Sequence, residues 1–290
     1  MRIEQITTAL SQIAKPMLCE KADAEFINLF QDKKYLASKK FDGCRALMIK
    51  EDNKIILKGR SGYTYEEKFK EVVEFFNLFP NGTILDGELT CKTFQNCQAR
   101  CLTKNKYKLE ELQSMFPATY YIFDIIAYDF EDLTELSFIE RQEKLKDIFG
   151  GYKTITDDKM GDCGVSNSVI LVENSEKIGE MWEKAKNEKW EGIILKNPNS
   201  TYQFKRSNDW LKLKCTKTKL IEFDSYTINN AGVRAVSKDG LVTCQIGGKQ
   251  NSNKFLEIHK KNGVVNVLVG YLEQIESGAL RMPICKGVKE

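Results

Sequence analysis

Lys40-Phe41-Asp42-Gly43-Cys44-Arg45 follows directly on the short run Tyr35-Leu36-Ala37-Ser38-Lys39. Tyr35 to Ala37 reads as a strand. Arg45 to Lys50 and Lys54 to Lys58 read as two more, joined at Asp52-Asn53 like a hairpin. The hexapeptide thus sits between strands, with the cations Lys39 and Arg45 on either side of Lys40. A lysine amine attacks only when unprotonated, and its ordinary pKa of about 10.4 opposes that at neutral pH. Neighbouring positive charge lowers that pKa, which makes Lys40 a candidate nucleophile.

Outward from this point the coarse pattern alternates strands and helices. Asp23 to Phe30 is expected to be a short helix with Phe26, Leu29 and Phe30 on one side. Tyr65 to Leu78 is amphipathic at helical spacing and stops at Pro80-Asn81-Gly82. Thr83 to Leu85 leads as a strand into Asp86-Gly87-Glu88, and Thr119 to Ile126 is a second strong strand. Phe138 to Ile148 and Glu176 to Lys186 read as helices, and Gly192 to Leu195 as a short apolar strand. From Leu220 to Gly270, short strand candidates broken by Asn-Asn, Asp-Gly, Gly-Gly and Asn-Gly turns suggest a small β-barrel beyond a hinge at Lys214 to Lys219. Cys91 to Gln113 and Gly150 to Val172 carry no assignment.

The composition fits a folded, soluble protein: 290 residues, 42% hydrophobic and 29% charged. No apolar run approaches the roughly 20 residues of a membrane span, and Met1-Arg2-Ile3-Glu4-Gln5 lacks a secretory signal. Nine cysteines, odd in number and scattered, point to free thiols in a reducing, intracellular compartment, cytoplasm or host nucleus. The net charge of +3 says little about nucleic acid, but basic runs at Lys33 to Lys40, Arg100 to Lys108, Lys205 to Lys219 and Lys254 to Lys261 suit phosphate contacts.

The hexapeptide resembles the nucleophile motif of the covalent nucleotidyltransferases, which include DNA ligases, RNA ligases and mRNA capping enzymes. Further strings match that family in its own order. Gly59-Arg60-Ser61-Gly62 resembles its Ser-Arg-x-Gly element, with Gly59 in place of the serine. Leu85-Asp86-Gly87-Glu88-Leu89 and Tyr121-Ile122-Phe123-Asp124 resemble the next two. Lys189-Trp190-Glu191-Gly192-Ile193-Ile194-Leu195-Lys196 resembles the fourth, though the family often has Gly where Lys189 stands. Trp210-Leu211-Lys212-Leu213-Lys214 completes the series, and alternation puts Lys212 and Lys214 on one face of a strand. The resemblance implies that Lys40 carries the nucleotide covalently. It implies nucleotide contacts from Lys39, Arg45, Arg60, Glu88, Phe123 (stacked on the purine), Lys196, Lys212 and Lys214, and metal ligation by Glu88 and Glu191.

Lys15-Pro16-Met17-Leu18 resembles the lead-in of ATP-dependent DNA ligases, and Gly278-Ala279-Leu280-Arg281-Met282-Pro283 resembles their C-terminal Arg-x-Pro element, with Arg281 set to orient pyrophosphate. The implied fold is α+β: a nucleotidyltransferase (adenylation) domain of antiparallel sheets with flanking helices over 1–215, then a small oligonucleotide-binding (OB) β-barrel over 216–290. The implied protein is a minimal ligase of viral or bacteriophage type. It uses ATP and Mg²⁺, with Mn²⁺ as a possible substitute, and acts as a monomer with no membrane attachment to seal nicked duplex DNA. Barrel motion about the hinge belongs to the same expectation. The stretch Tyr226 to Val242 has room for only a short excursion, so Arg100, Lys104, Lys106 and Lys108, or Lys254, Lys260 and Lys261, are the candidates for holding the duplex.

An RNA ligase, a capping guanylyltransferase and an inactive nucleic-acid-binding module on the same scaffold are the alternatives. Cys91, Cys97 and Cys101 invite a metal reading, but they lack a Cys-x-x-Cys pair and an evident fourth ligand. His259, the one histidine, reads as a surface residue beside Lys260 and Lys261.

Overall fold

The computed structural model describes residues 16–23, 25, 27–163, 168–275 and 277–289; Lys15 and Phe26 of the motifs above lie outside them. The chain divides into two compact units, Met1–Leu213 and Lys214–Glu290.

The first unit is built on two sheets. Strands β1 (Leu18–Lys21), β2 (Leu36–Lys39), β3 (Cys44–Glu51), β4 (Lys54–Gly59), β5 (Thr83–Thr90), β6 (Thr119–Tyr128), β7 (Glu131–Asp132), β8 (Val169–Leu171), β9 (Gly192–Lys196) and β10 (Arg206–Lys214) follow in chain order. One sheet runs β4-β3-β5-β6-β7 with β8 beside β6, and the other runs β1-β10-β9-β2. β2 with β9, β3 with β4, β3 with β5, β5 with β6 and β6 with β7 pair antiparallel, while β1 with β10 and β6 with β8 pair parallel.

Burial explains why β3 is apolar at successive positions. Ala46 and Met48 face a core shared with Phe69, Phe76, Tyr120 and Ile122, while Leu47 and Ile49 face a second core with Met17, Ile84, Tyr202 and Trp210. A strand buried on both faces loses the polar alternation of a half-exposed one. Three residues before Ala46, Gly43 is required by close approach: a Cβ there would stand 2.0 Å from the Leu89 carbonyl oxygen.

Helices α1 (Ile27–Asp32), α2 (Lys70–Phe76), α3 (Phe94–Leu102), α4 (Lys106–Met115), α5 (Phe138–Cys163) and α6 (Ile178–Asn187) flank the sheets. α1 runs two residues beyond the expected Phe30, and Lys34, at φ 56°, lets Tyr35 N–H close back on the Phe30 carbonyl. The expected helix from Tyr65 is α-helical only from Lys70. The segment before it is held to β4, since Tyr65 N–H donates to the Leu57 carbonyl and the Glu66 carboxylate accepts from Leu57 N–H. α3 and α4 occupy the stretch left unassigned; each begins at a side-chain cap, Thr93 for Asn96 N–H and Asn105 for Lys108 N–H. α5 is 26 residues long and runs well past Ile148.

The second unit holds β11 (Lys217–Asn229), β12 (Gly232–Ser237), β13 (Thr243–Ile246), α7 (Lys249–Asn262), β14 (Val265–Tyr271) and β15 (Ile284–Lys289). Its antiparallel order β13-β12-β11-β14-β15 curls into an OB-like half-barrel around Phe223, Val233, Phe255 and Val267. The all-strand expectation from Leu220 to Gly270 is corrected by α7. Gly248 is its N-cap residue, and Gly263, at φ 76°, caps its C-terminus, so two glycine strings read as hairpin turns delimit a helix. His259 is likewise no plain surface residue: its ring packs on Tyr226 and Phe255 and its Nε2 lies 2.8 Å from the Asp224 carbonyl oxygen.

Candidate active site

Between the two sheets of the first unit lies a cavity of about 680 Å³. Its lining includes Lys39, Lys40, Arg45, Arg60, Glu88, Phe123, Lys196 and Lys212, eight of the sequence-derived site residues. They come from β2, β3, β5, β6, β9 and β10 and from the residues that directly follow β2 and β4.

Lys40 follows the last residue of β2. Because Lys39 pairs with Ile193 in β9, Lys40 N–H reaches the Gly192 carbonyl at 3.0 Å, and its ammonium is ion-paired with the Glu191 carboxylate. That carboxylate is 6% exposed and the lysine side chain 21%, so the pair is largely withdrawn from water. The turn before it carries Lys189 at φ 56°, the left-handed conformation in which glycine is at ease. The departure from the family pattern at Lys189 therefore keeps the backbone shape and adds strain. The departure at Gly59 has a different cause. The Tyr65 ring lies 2.5 Å from where a Cβ would go, so a serine there would require that ring to shift.

Arg45 forms the floor. Its guanidinium grips Asp86 with two bonds of 2.6 Å, donates to the Met17 carbonyl and lies 4.5 Å from the Phe123 ring centroid. Asp86 is fully buried and also accepts from the Tyr202 hydroxyl at 2.5 Å. Burial opposes the arginine charge, but Asp86 outweighs it and leaves the guanidinium pKa raised. Asp86 and Tyr202 are members that reading for nucleotide contacts missed. Asp86 stood inside a quoted motif, and only its neighbour Glu88 was taken from it.

Glu88 pairs with Arg45 across β3 and β5. Burial pushes its carboxyl up to about 8, against the pull of Lys40 and Arg45, and nearby Cys44 and Glu191 push the same way.

Lys196 is only 2% exposed and sits in an aromatic box, its ammonium 4.4, 4.5 and 4.7 Å from the ring centroids of Trp210, Phe138 and Phe123. It donates to the Phe123 carbonyl at 3.0 Å, and burial lowers its pKa to about 8. A buried lysine held at such a cost, in a cavity, marks a functional site more than a structural one. The sign of its pH effect follows. Below pH 8 both folded and unfolded chains carry the proton. Between about 8 and the ordinary 10.5 the unfolded chain binds a proton that the folded one does not, so stability rises with pH. In Lys196→Met the Phe123 carbonyl keeps its bond from Gln142. The parent is expected to gain stability relative to Lys196→Met across that window, read from urea midpoints; parallel pH curves for the two proteins would contradict it.

Lys39 lies over the Trp190 ring, 4.8 Å from its centroid, and burial lowers its pKa. Lys212 donates to the Cys19 carbonyl at 3.3 Å. Arg60 is exposed at the cavity rim. Trp210 lines the cavity, and its Nε1 is buried without a hydrogen-bond partner. Lys214 and Arg281 belong to the second unit, where Lys214 Nζ lies 3.4 Å from Met282 Sδ and Arg281 bonds Glu273 at 3.1 Å.

One candidate for a DNA phosphate contact is corrected. Arg100 is fully buried and bonded to the Lys68 and Phe116 carbonyls and to Glu71, whereas Lys104, Lys106 and Lys108 are exposed. The cysteine reading also changes: the fold brings Cys44 to Cys97 and Cys101. Among the described residues no helix is long and apolar enough to cross a membrane.

Residues 16–214 match the family model for the ATP dependent DNA ligase domain. The Bacillus subtilis bifunctional non-homologous end joining protein LigD is 26% identical over 218 residues, covering 70% of this chain and 35% of that protein. The SPbeta prophage-derived DNA ligase-like protein LigB of Bacillus subtilis is 28% identical over 192 residues, covering 63% of this chain and 62% of that one. The chain therefore spans about a third of the first relative and under two thirds of the second. The solved structure Pmar-Lig_Pre superposes with a TM-score of 0.74 at 17% identity, over 95% of this chain and 67% of that one, a likeness of fold. With the family model covering more than half its length and the lysine motif at the mouth of the cavity, this chain belongs to the ATP-dependent DNA ligase family.

Proposed function

We propose that this chain uses ATP to seal 5′-phosphate/3′-hydroxyl nicks in duplex DNA, with AMP carried on Lys40. The observation that carries the reading is the Lys40–Glu191 pair at the edge of a cavity that also gathers an aromatic ring, buried cations and a second carboxylate.

In the first step the Lys40 amine, freed of its proton and of Glu191, attacks the α-phosphorus of ATP. An N–P bond forms and pyrophosphate leaves. A 5′-phosphate oxygen of the nick next attacks the same phosphorus, breaking the N–P bond. Finally the 3′-hydroxyl attacks the 5′-phosphate, and AMP departs. Phe123 stacks on the adenine. Lys196 and Lys212 neutralise α-phosphate charge, Arg60 meets the ribose and the DNA end, and Lys39 adds to the positive field. Arg45 acts by position, holding the ring of Phe123 from below.

Glu88 and Glu191, hard oxygen donors of suitable charge, fit a divalent ion of the Mg²⁺ class, with Mn²⁺ as substitute. Such an ion supplies charge neutralisation at the phosphoryl oxygens. The nicked duplex is held by exposed Lys104, Lys106 and Lys108, or by Lys254, Lys260 and Lys261, and the enzyme works as an intracellular monomer.

The test offers labelled ATP or GTP to the protein, then nicked duplexes with DNA or RNA strands. Label from ATP and sealing of the DNA nick are expected. Label from GTP alone, or sealing confined to RNA, would replace this reading with a capping enzyme or an RNA ligase.

A further inference from the structure

Three of the eight cysteines described as free meet at one place, reached from two separate segments, with a fourth, Cys91, interacting with one of them. The sulfurs of Cys44, at the start of β3, and of Cys97 and Cys101, one turn apart on α3, all lie within 4.8 Å of one another. Cys91, one residue beyond β5, interacts with the Cys97 side chain and is the nearby candidate for a fourth ligand. Cys97 is fully buried, and its thiol meets the Leu89 carbonyl oxygen at 3.2 Å.

As apolar filling this arrangement is poorly explained. A thiol is a weak donor and acceptor, so gathering them gains little over packing each against carbon. As a ligand set it is well shaped. Zinc binds thiolate at about 2.3 Å, which in a tetrahedron separates the sulfurs by about 3.8 Å, and three sulfurs here need move by no more than about 1 Å to reach that.

We propose that Cys44, Cys97, Cys101 and Cys91 form a thiolate site for one thiophilic divalent ion of the zinc class. Binding exchanges the thiol protons for the ion; each ligating sulfur releases one proton to solvent and forms one metal–sulfur bond. The site ties the residue between Gly43 and Arg45 to α3, whose Phe94 and Gln98 line the same cavity as Lys40. The ion therefore fixes the wall beside the nucleophile and takes no part in phosphoryl transfer.

The test titrates Co²⁺ alone into the full-length, reduced and chelator-stripped chain, followed by absorption and then by Zn²⁺ competition. One equivalent is expected, with sulfur-to-cobalt charge-transfer and tetrahedral ligand-field bands that Zn²⁺ abolishes. Cys97→Ser/Cys101→Ser should weaken uptake by more than the roughly 10–100-fold carried by outer-shell partners, and Cys44→Ser/Cys91→Ser should do the same. Cys244→Ser/Cys285→Ser, in the second unit, should leave it unchanged. A wild-type chain with no charge-transfer band overturns the proposal whatever the variants do. So does equal uptake by either cluster variant, or a disulfide among these cysteines in protein that takes up no metal once reduced.

Discussion

Lys40→Ala is expected to abolish the covalent nucleotide adduct and with it the sealing of a 5′-phosphorylated DNA nick. The Lys40 amine is the group assigned to form the N–P bond, and no solvent substitute reaches the next step, because the nick needs AMP delivered to it. Removing the nucleophile from a covalent mechanism costs on the order of a millionfold in other enzymes, below detection in a sealing assay. A misfolded variant would give the same blank, so a second substrate separates the two. A nick already bearing AMP on its 5′-phosphate needs only attack by the 3′-hydroxyl, in which Lys40 is no longer the nucleophile. Lys40→Ala should retain sealing of that substrate. Loss of both activities, with a normal urea midpoint, would mean that Lys40 does more than carry AMP.

The largest expected effect on stability lies at Arg141, behind the cavity. Its guanidinium bonds both oxygens of Asp124 at 2.8 and 2.9 Å and the carbonyls of Leu136 and Ser200, with neither charged side chain exposed. Asp124 neighbours Phe123 on β6, and Ser200 lies four residues past Lys196, so one α5 side chain fastens two walls of the site. Replacing a single partner leaves a buried charge alone, which costs about 3–5 kcal/mol. Against a total stability of roughly 5–15 kcal/mol for a typical domain, Arg141→Leu should lower the urea midpoint sharply or prevent folding. Asp124→Leu/Arg141→Leu should recover part of that loss, because two apolar groups leave no orphan charge. Recovery stays partial, since the Leu136 and Ser200 carbonyls still lack their donor. A double variant weaker than the single one would contradict the argument.

What the sequence made legible was local. Lys40, Glu88, Phe123, Glu191, Lys196 and Lys212 sit in short strings on or beside strands, and the strand pattern carries them to one cavity, Glu191 through its pair with Lys40. The partners of those residues were not legible, because they come from far along the chain. Arg45 reads as a free cation until Asp86, Tyr202 and the Met17 carbonyl close around it. Arg100 looked like part of a basic surface, and only the fold shows it buried on the Lys68 and Phe116 carbonyls. Cys44 lies 53 positions before Cys97, a spacing that no motif records. The missed helices have a similar cause. α3 and α4 are short and mostly polar, with Thr93 and Asn105 as their only clear signals. α7 is hidden by Gly248 and Gly263, which serve equally as turn residues and helix caps.

The central claim is tested most directly by incubating the protein with Mg²⁺ and ATP labelled at the α-phosphate, mapping the labelled peptide, and chasing with nicked DNA. The account predicts one AMP on Lys40, which passes to the 5′-phosphate of the nick and is released as the strand is sealed. A label on any other residue, or an adduct on Lys40 that nicked DNA does not discharge, would contradict it.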